Sequence, residues 1–174
     1  MKSIIILGNV GSGKTSLSQC IHKEFGLPHF NIDQFRIKNC PNGWTPAGET
    51  LSWKEFDSKI INNNISIYET CGTVSFEKNL KKISSSLIIM LTVDKTIAFN
   101  RKLAQMKDPN FEKAPFCTDK FDNLESSLKA CIENVDSIVN GYKKEADLII
   151  NTTDKNSNQV MKEALPSIKS FLGV

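Results

Sequence analysis

Gly8-Asn9-Val10-Gly11-Ser12-Gly13-Lys14-Thr15 decides the reading of this chain. It fits G-x-x-x-x-G-K-[ST], the Walker A pattern or P-loop. Glycines let successive backbone N–H groups turn inward around an anion. The helix that follows adds the positive end of its dipole. In such a loop the Lys14 ammonium reaches the β- and γ-phosphates of a nucleotide, and the Thr15 hydroxyl holds Mg²⁺. The nucleotide-binding set expected from the loop is Gly8, Asn9, Val10, Gly11, Ser12, Gly13, Lys14, Thr15 and Ser16.

The flanks fit the motif. Ile4-Ile5-Ile6-Leu7 is a continuous apolar run, as expected of a strand buried on both faces of a parallel sheet. Leu17, Ile21 and Phe25 recur at helical spacing after the loop, and Gly26 suits the end of that helix. Further strands are expected over 29–32, 65–68, 87–93 and 146–151. Helices are expected over about 52–61, opened by a Ser52/Glu55 capping box, and over 76–83, 95–106 with an Asp94 cap, 122–144, and from 157 with a break or kink at Pro166. The stretch 38–48 reads as loop, 62–64 as a turn, and 108–121 as a mobile excursion. Short apolar strands alternating with helices predict an α/β fold, a parallel five-stranded sheet layered between helices.

Composition narrows the function. The chain has 174 residues, 40% hydrophobic and 24% charged, so one globular domain spanning 1–174 is expected. No apolar run approaches the ~20 residues of a membrane span, and the first is too short for a signal-peptide core, so a soluble cytoplasmic protein is expected. A net charge of +3 does not by itself imply nucleic acid. Five cysteines without a Cys-x-x-Cys spacing suggest neither a disulfide scaffold nor a zinc site.

Two other nucleotide folds fit poorly. Asp33 lies 20 residues after Gly13, a tempting ribose-binding distance, but the glycine order is not G-x-G-x-x-G. A GTPase needs D-x-x-G and a guanine-reading N-K-x-D. Glu69-Thr70-Cys71-Gly72 has the wrong acid for the first, and Thr92-Val93-Asp94-Lys95 does not supply the second.

With this loop and order of elements the chain resembles the small P-loop kinases, the group of adenylate, shikimate and polynucleotide kinases. The resemblance covers nearly the whole chain and is specific at the loop. It implies strand order 2-3-1-4-5, a small lid near 101–121, and Mg²⁺-dependent transfer of the ATP γ-phosphoryl group to a small acceptor, a nucleoside, nucleotide or other metabolite. A polynucleotide or other macromolecular 5′-hydroxyl is the alternative acceptor, and a nucleotide-binding regulatory module without transfer is a third reading. Oligomeric state is not implied.

The resemblance also distributes roles. Asp33-Gln34-Phe35-Arg36 is similar to a D-x-x-R whose arginine grips an acceptor phosphate in adenylate kinases and whose aspartate takes the hydroxyl proton in polynucleotide kinases. Residue chemistry agrees with either role: a carboxylate orients or deprotonates a hydroxyl, and a guanidinium grips an anion. Glu69 is implied near the acceptor or near Mg²⁺ through water, and Gly72 near the acceptor. Arg101 falls where the adenine-stacking arginine lies, which implies that it stacks on the base or neutralises transferred charge and makes it a catalytic candidate with Lys14, Asp33 and Arg36. Tyr142 to Thr152 resembles the ending of shikimate-type kinases, which puts Thr152, Thr153 and Asp154 beside the base. There are departures too. Gln105 stands where a second lid arginine is expected, and Asn31-Ile32-Asp33 replaces the D-x-D of shikimate kinase, whose glycine triplet is also absent. Trp44 and Trp53 suit either the core or stacking on an acceptor, and His22 and His29 read as structural or exposed.

Overall fold

The computed structural model describes residues 2–62, 65–72, 85–111 and 123–174. At its centre β1 (Lys2–Gly8) lies between β3 (Ile65–Thr70) and β4 (Ser85–Thr92). β2 (His29–Asn31) adds outside β3 and β5 (Leu148–Asn151) outside β4, all parallel, giving the order β2-β3-β1-β4-β5. Six helices are described: α1 (Lys14–Phe25), α2 (Ile32–Asn39), α3 (Pro46–Asn62), α4 (Lys95–Met106), α5 (Leu124–Gly141) and α6 (Ser157–Leu172). This is the expected P-loop α/β fold.

The unbroken apolar run of β1 has a direct cause. Side chains alternate across a strand, so a strand covered on both faces has no polar side to offer. Ile4 and Ile6 pack with Leu17, Ile21, Val160, Ala164 and Ile168 under α1 and α6. Ile5 and Leu7 pack with Ile32, Trp53, Phe56, Tyr68 and Val139 under α2, α3 and α5. A third cluster joins Val10 of the loop to Ala98 of α4 and to Leu128, Cys131 and Ile132 of α5.

Some local expectations are corrected. The capping-box reading of Ser52 and Glu55 fails, because α3 starts six residues earlier at Pro46. The Thr45 hydroxyl accepts from Gly48 N at 3.1 Å, and proline is at home in a first helical turn. The Ser52 hydroxyl instead donates to Gly48 O inside the helix at 2.7 Å. Part of the expected 38–48 loop is therefore helix. Residues 32–39 form α2, whose cap is Asn31, with its side-chain oxygen accepting from Asp33 N. α6 runs through Pro166, with Ala164 and Ile168 buried on either side of it. The expected 76–83 helix and most of the 108–121 excursion lie outside the described residues. Among the described residues, no helix is long and apolar enough to cross a membrane.

Candidate active site

The functional side chains gather where β1 and β3 end and the loop opens. Gly11 has a φ of +73°, and a Cβ there would sit 2.4 Å from Ala98 O, so only glycine lets the loop lie against α4 in this conformation. Asn9 fixes the other side. Its buried amide donates to Ile132 O at 3.1 Å and to Asp136 Oδ1 at 3.3 Å, and its Oδ1 accepts from Val10 N at 2.7 Å. The Lys14 ammonium folds over the loop and donates to Asn9 O at 2.9 Å.

Beside the loop lies a cleft of about 330 Å³. Its wall includes Lys14, Thr15, Asp33, Glu69, Arg101 and Lys102. Thr15 Oγ1 donates to Glu69 Oε1 at 2.7 Å. Glu69 is almost fully buried and also accepts from the Asn31 amide and from His29 Nε2, the latter at 2.9 Å. Burial alone would raise the pKa of its carboxyl. Hydrogen bonds from His29 and Thr15, with the charge of Lys14, more than offset that and hold it below the usual carboxylate range. Strand alternation makes this arrangement possible. Asn31 lies opposite Glu69 in the β2–β3 register, and His29, two residues earlier, shares its face. Phe30 points to the other side and stacks on Tyr68, with centroids 5.5 Å apart.

Asp33 and Arg36 stay paired but have different surroundings. Asp33 lines the cleft, while the Arg36 guanidinium turns to Glu49, donating through Nη2 at 2.7 Å and Nε at 2.9 Å. Its Nη1 donates to Asp33 Oδ1 at 3.0 Å. Burial works against the Arg36 charge, but the Glu49 hydrogen bond and the two carboxylates outweigh it and hold the proton more firmly. Glu49 also accepts from Trp53 Nε1 at 2.8 Å. Trp53 is core, packed edge-on against Phe56, and Trp44 is half-buried.

Arg101 joins the cleft to a second cavity of about 230 Å³, lined by Ser12, Ser16, Thr152 and Lys155 among others. Its Nη2 donates to Thr152 O at 2.8 Å and Thr153 O at 3.0 Å. The Thr152 hydroxyl donates to Ser12 O at 3.0 Å, which ties the loop after β5 to the phosphate loop. Thr153 Oγ1 accepts from Asp94 N at 3.0 Å. Gly72 has a φ of +79° and lies against the Tyr142 ring, where a Cβ would come within 2.6 Å of Cε2. Its backbone conformation and this contact already require glycine.

Sequence reasoning left two residues out. His29 touches the buried Glu69, and a His-x-Asn pair on one strand face was the available signal. Lys102 lines the cleft beside Asp33, and nothing in the spacing of the chain marked it. The other unassigned histidine, His22, lies 2.7 Å from Leu27 O at the end of α1. Among the described residues, no group of three or more His, Cys, Asp or Glu could hold a metal. The pair Thr15 and Glu69 is the fitting place for a Mg²⁺ that arrives with its own waters.

No family model matches the chain. It is 22% identical to shikimate kinase of Enterococcus faecalis, over 97% of this chain and 99% of that one. It is 26% identical to shikimate kinase of Bacillus mycoides, over 94% and 96%. Among solved structures, shikimate kinase from Acinetobacter baumannii in complex with shikimate superposes with a TM-score of 0.68 at 14% identity, covering 97% of this chain and 93% of that one. A gluconokinase from Sinorhizobium meliloti gives 0.65 at 14% identity, covering 97% and 92%.

Proposed function

From the premise that the chain is a small P-loop kinase of the adenylate and shikimate kinase group, we propose that it moves the γ-phosphoryl group of ATP to a hydroxyl of a small metabolite in the cytoplasm. The observation that carries this reading is that Asp33 faces the same cleft as Lys14 and Thr15. The loop amides and Lys14 hold the β- and γ-phosphates. Asp33 orients the acceptor hydroxyl and takes its proton as the new P–O bond forms and the bond to ADP breaks. Arg36 holds Asp33 in place. Three of its five N–H groups are engaged by Glu49 and Asp33, and it is not among the residues that wall the cleft, so its part in this reading is to support Asp33.

Thr15, with Glu69 acting through water, would hold Mg²⁺, which when bound neutralises charge on the β- and γ-phosphates. Glu69 already receives hydrogen bonds from three side chains, which suits contact through water. Arg101, Thr152 and Thr153, joined by hydrogen bonds, would border the base. The segment near 101–121 is the proposed lid, closing to exclude water. Alignment with shikimate kinases over nearly the full chain favours a small acceptor over a polynucleotide end.

The test is ADP release from Mg·ATP across shikimate and other hydroxy acids, sugars, nucleosides, nucleoside monophosphates and a 5′-hydroxyl oligonucleotide. One small-molecule class is expected to raise turnover at least ~100-fold, with Lys14→Ala and Asp33→Ala abolishing the gain. Stimulation by the oligonucleotide alone would replace this reading with the polynucleotide one. Nucleotide binding without stimulation by any acceptor would leave a regulatory module.

A further inference from the structure

We propose that Asp136 is a positioning residue for the nucleotide site: from α5 its carboxylate orients the Asn9 side chain, and through Asn9 it sets the turn of the phosphate loop on which the Lys14 ammonium rests. This rests on the kinase reading above. Asn9 is the joint. Its amide nitrogen donates to Ile132 O at 3.1 Å and to Asp136 Oδ1 at 3.3 Å. Its Oδ1 accepts from Val10 N at 2.7 Å. Its backbone carbonyl accepts from Lys14 Nζ at 2.9 Å and from Ser12 N at 3.2 Å. One residue thus links α5 to the loop backbone and to the lysine.

The carboxylate is itself held. Ile132, Asp136 and Asn140 recur every fourth residue, so they share one face of α5. Asp136 Oδ2 accepts from the Asn140 amide at 3.2 Å and lies 3.3 Å from the ammonium of Lys95, the first residue of α4. Lys95 is also paired with Glu133. Val10 packs against Ala98, Leu128, Cys131 and Ile132, which keeps the loop near both helices. Apolar packing is non-directional, so it does not fix how the loop is turned. The amide of Asn9 supplies the direction. An ionised carboxylate only accepts, as does the Ile132 carbonyl, so the amide must present its nitrogen to α5 and its oxygen to Val10 N. Asn9 is buried, and without Asp136 one of its N–H groups would be left there unpartnered. Turning the side chain to relieve that would give up the Val10 bond and move the carbonyl that receives Lys14.

The test is titration calorimetry with Mg·ADP, which needs no acceptor, beside thermal unfolding of each variant without nucleotide. Asp136→Ala is expected to weaken Mg·ADP about tenfold. Asp136→Asn keeps an oxygen for the Asn9 amide and is expected to bind within about twofold of wild type. In an Asn9→Ala background there is no amide to orient, so adding Asp136→Ala should change affinity less than about twofold. If Asp136→Ala lowers the unfolding midpoint and leaves affinity unchanged, the carboxylate is merely structural and the inference is wrong. It is equally wrong if Asp136→Asn binds as weakly as Asp136→Ala, or if Asp136→Ala costs the same with and without the Asn9 amide. If the wild-type protein does not bind Mg·ADP, the kinase reading itself fails and takes the inference with it.

Discussion

The Arg36 guanidinium and the Glu49 carboxylate meet edge to edge, two parallel hydrogen bonds of 2.7 and 2.9 Å joining α2 to α3. Replacing Glu49 by glutamine strands a buried guanidinium charge with Asp33 as its remaining carboxylate. Loss of about 2–3 kcal/mol of stability is expected, measured by urea unfolding at pH 7. The pH dependence has a definite sign. Burial alone would raise the carboxyl of Glu49, but the Arg36 hydrogen bond and charge bring it below its ordinary 4.5. A depressed carboxyl contributes stability above its unfolded pKa and loses it as pH falls through the folded one. The gap between wild type and Glu49→Gln should therefore narrow below about pH 4.5, and a constant gap down to pH 3 would contradict this.

The imidazole of His29 orients Glu69, which in turn receives the Thr15 hydroxyl. His29→Ala should leave the fold intact and weaken Mg²⁺ dependence of turnover about tenfold, the usual effect of losing a partner behind a metal-side group. His29→Gln retains a donor and should recover part of it. The readout is the Mg²⁺ concentration at half-maximal rate.

Gly11→Ala should cost about 2 kcal/mol, since a side chain at positive φ is strained and this one would drive into Ala98 O. Nucleotide binding should fall further than stability does, because the displaced segment is the phosphate loop itself. Thermal unfolding with and without Mg·ATP separates the two effects.

Arg101→Ala frees the carbonyls of Thr152 and Thr153 and opens the wall shared by the two cavities. The KM for ATP should rise about tenfold, the loss expected for one charge-assisted contact. An unchanged KM would remove Arg101 from the nucleotide site.

What the sequence revealed and what it hid have physical reasons. β1, the loop and α1 carry strong local signals, a doubly buried strand, a glycine cradle and an amphipathic period, and these set the fold. The Asp94 cap was readable because its oxygen bonds the N–H groups of Thr96 and Ile97, two and three residues on. The start of α3 was hidden. Pro46 and Gly48 look like loop residues, yet Gly48 is there because α2 passes so close that a Cβ would meet the Cys40 sulfur at 2.4 Å. At Pro166 the helix does not break, since burial of the α6 face outweighs one lost backbone hydrogen bond. At the site, loop residues followed from their motif. The places of His29 and Lys102 at the site depend on residues brought together by the sheet or by crossing helices, and one-dimensional spacing cannot show those.

The Asn9 side chain has a consequence for how the protein is made. Its amide is anchored to Ile132 and Asp136, 123 and 127 positions further along the chain. At ribosomal speeds of about 5–20 residues per second, roughly 6–25 s separate synthesis of the loop from synthesis of its anchor. A nascent chain that has β1 and α1 but not α5 carries the whole motif with no Ile132 or Asp136 to brace it. Competence to grip a nucleotide thus comes late in translation.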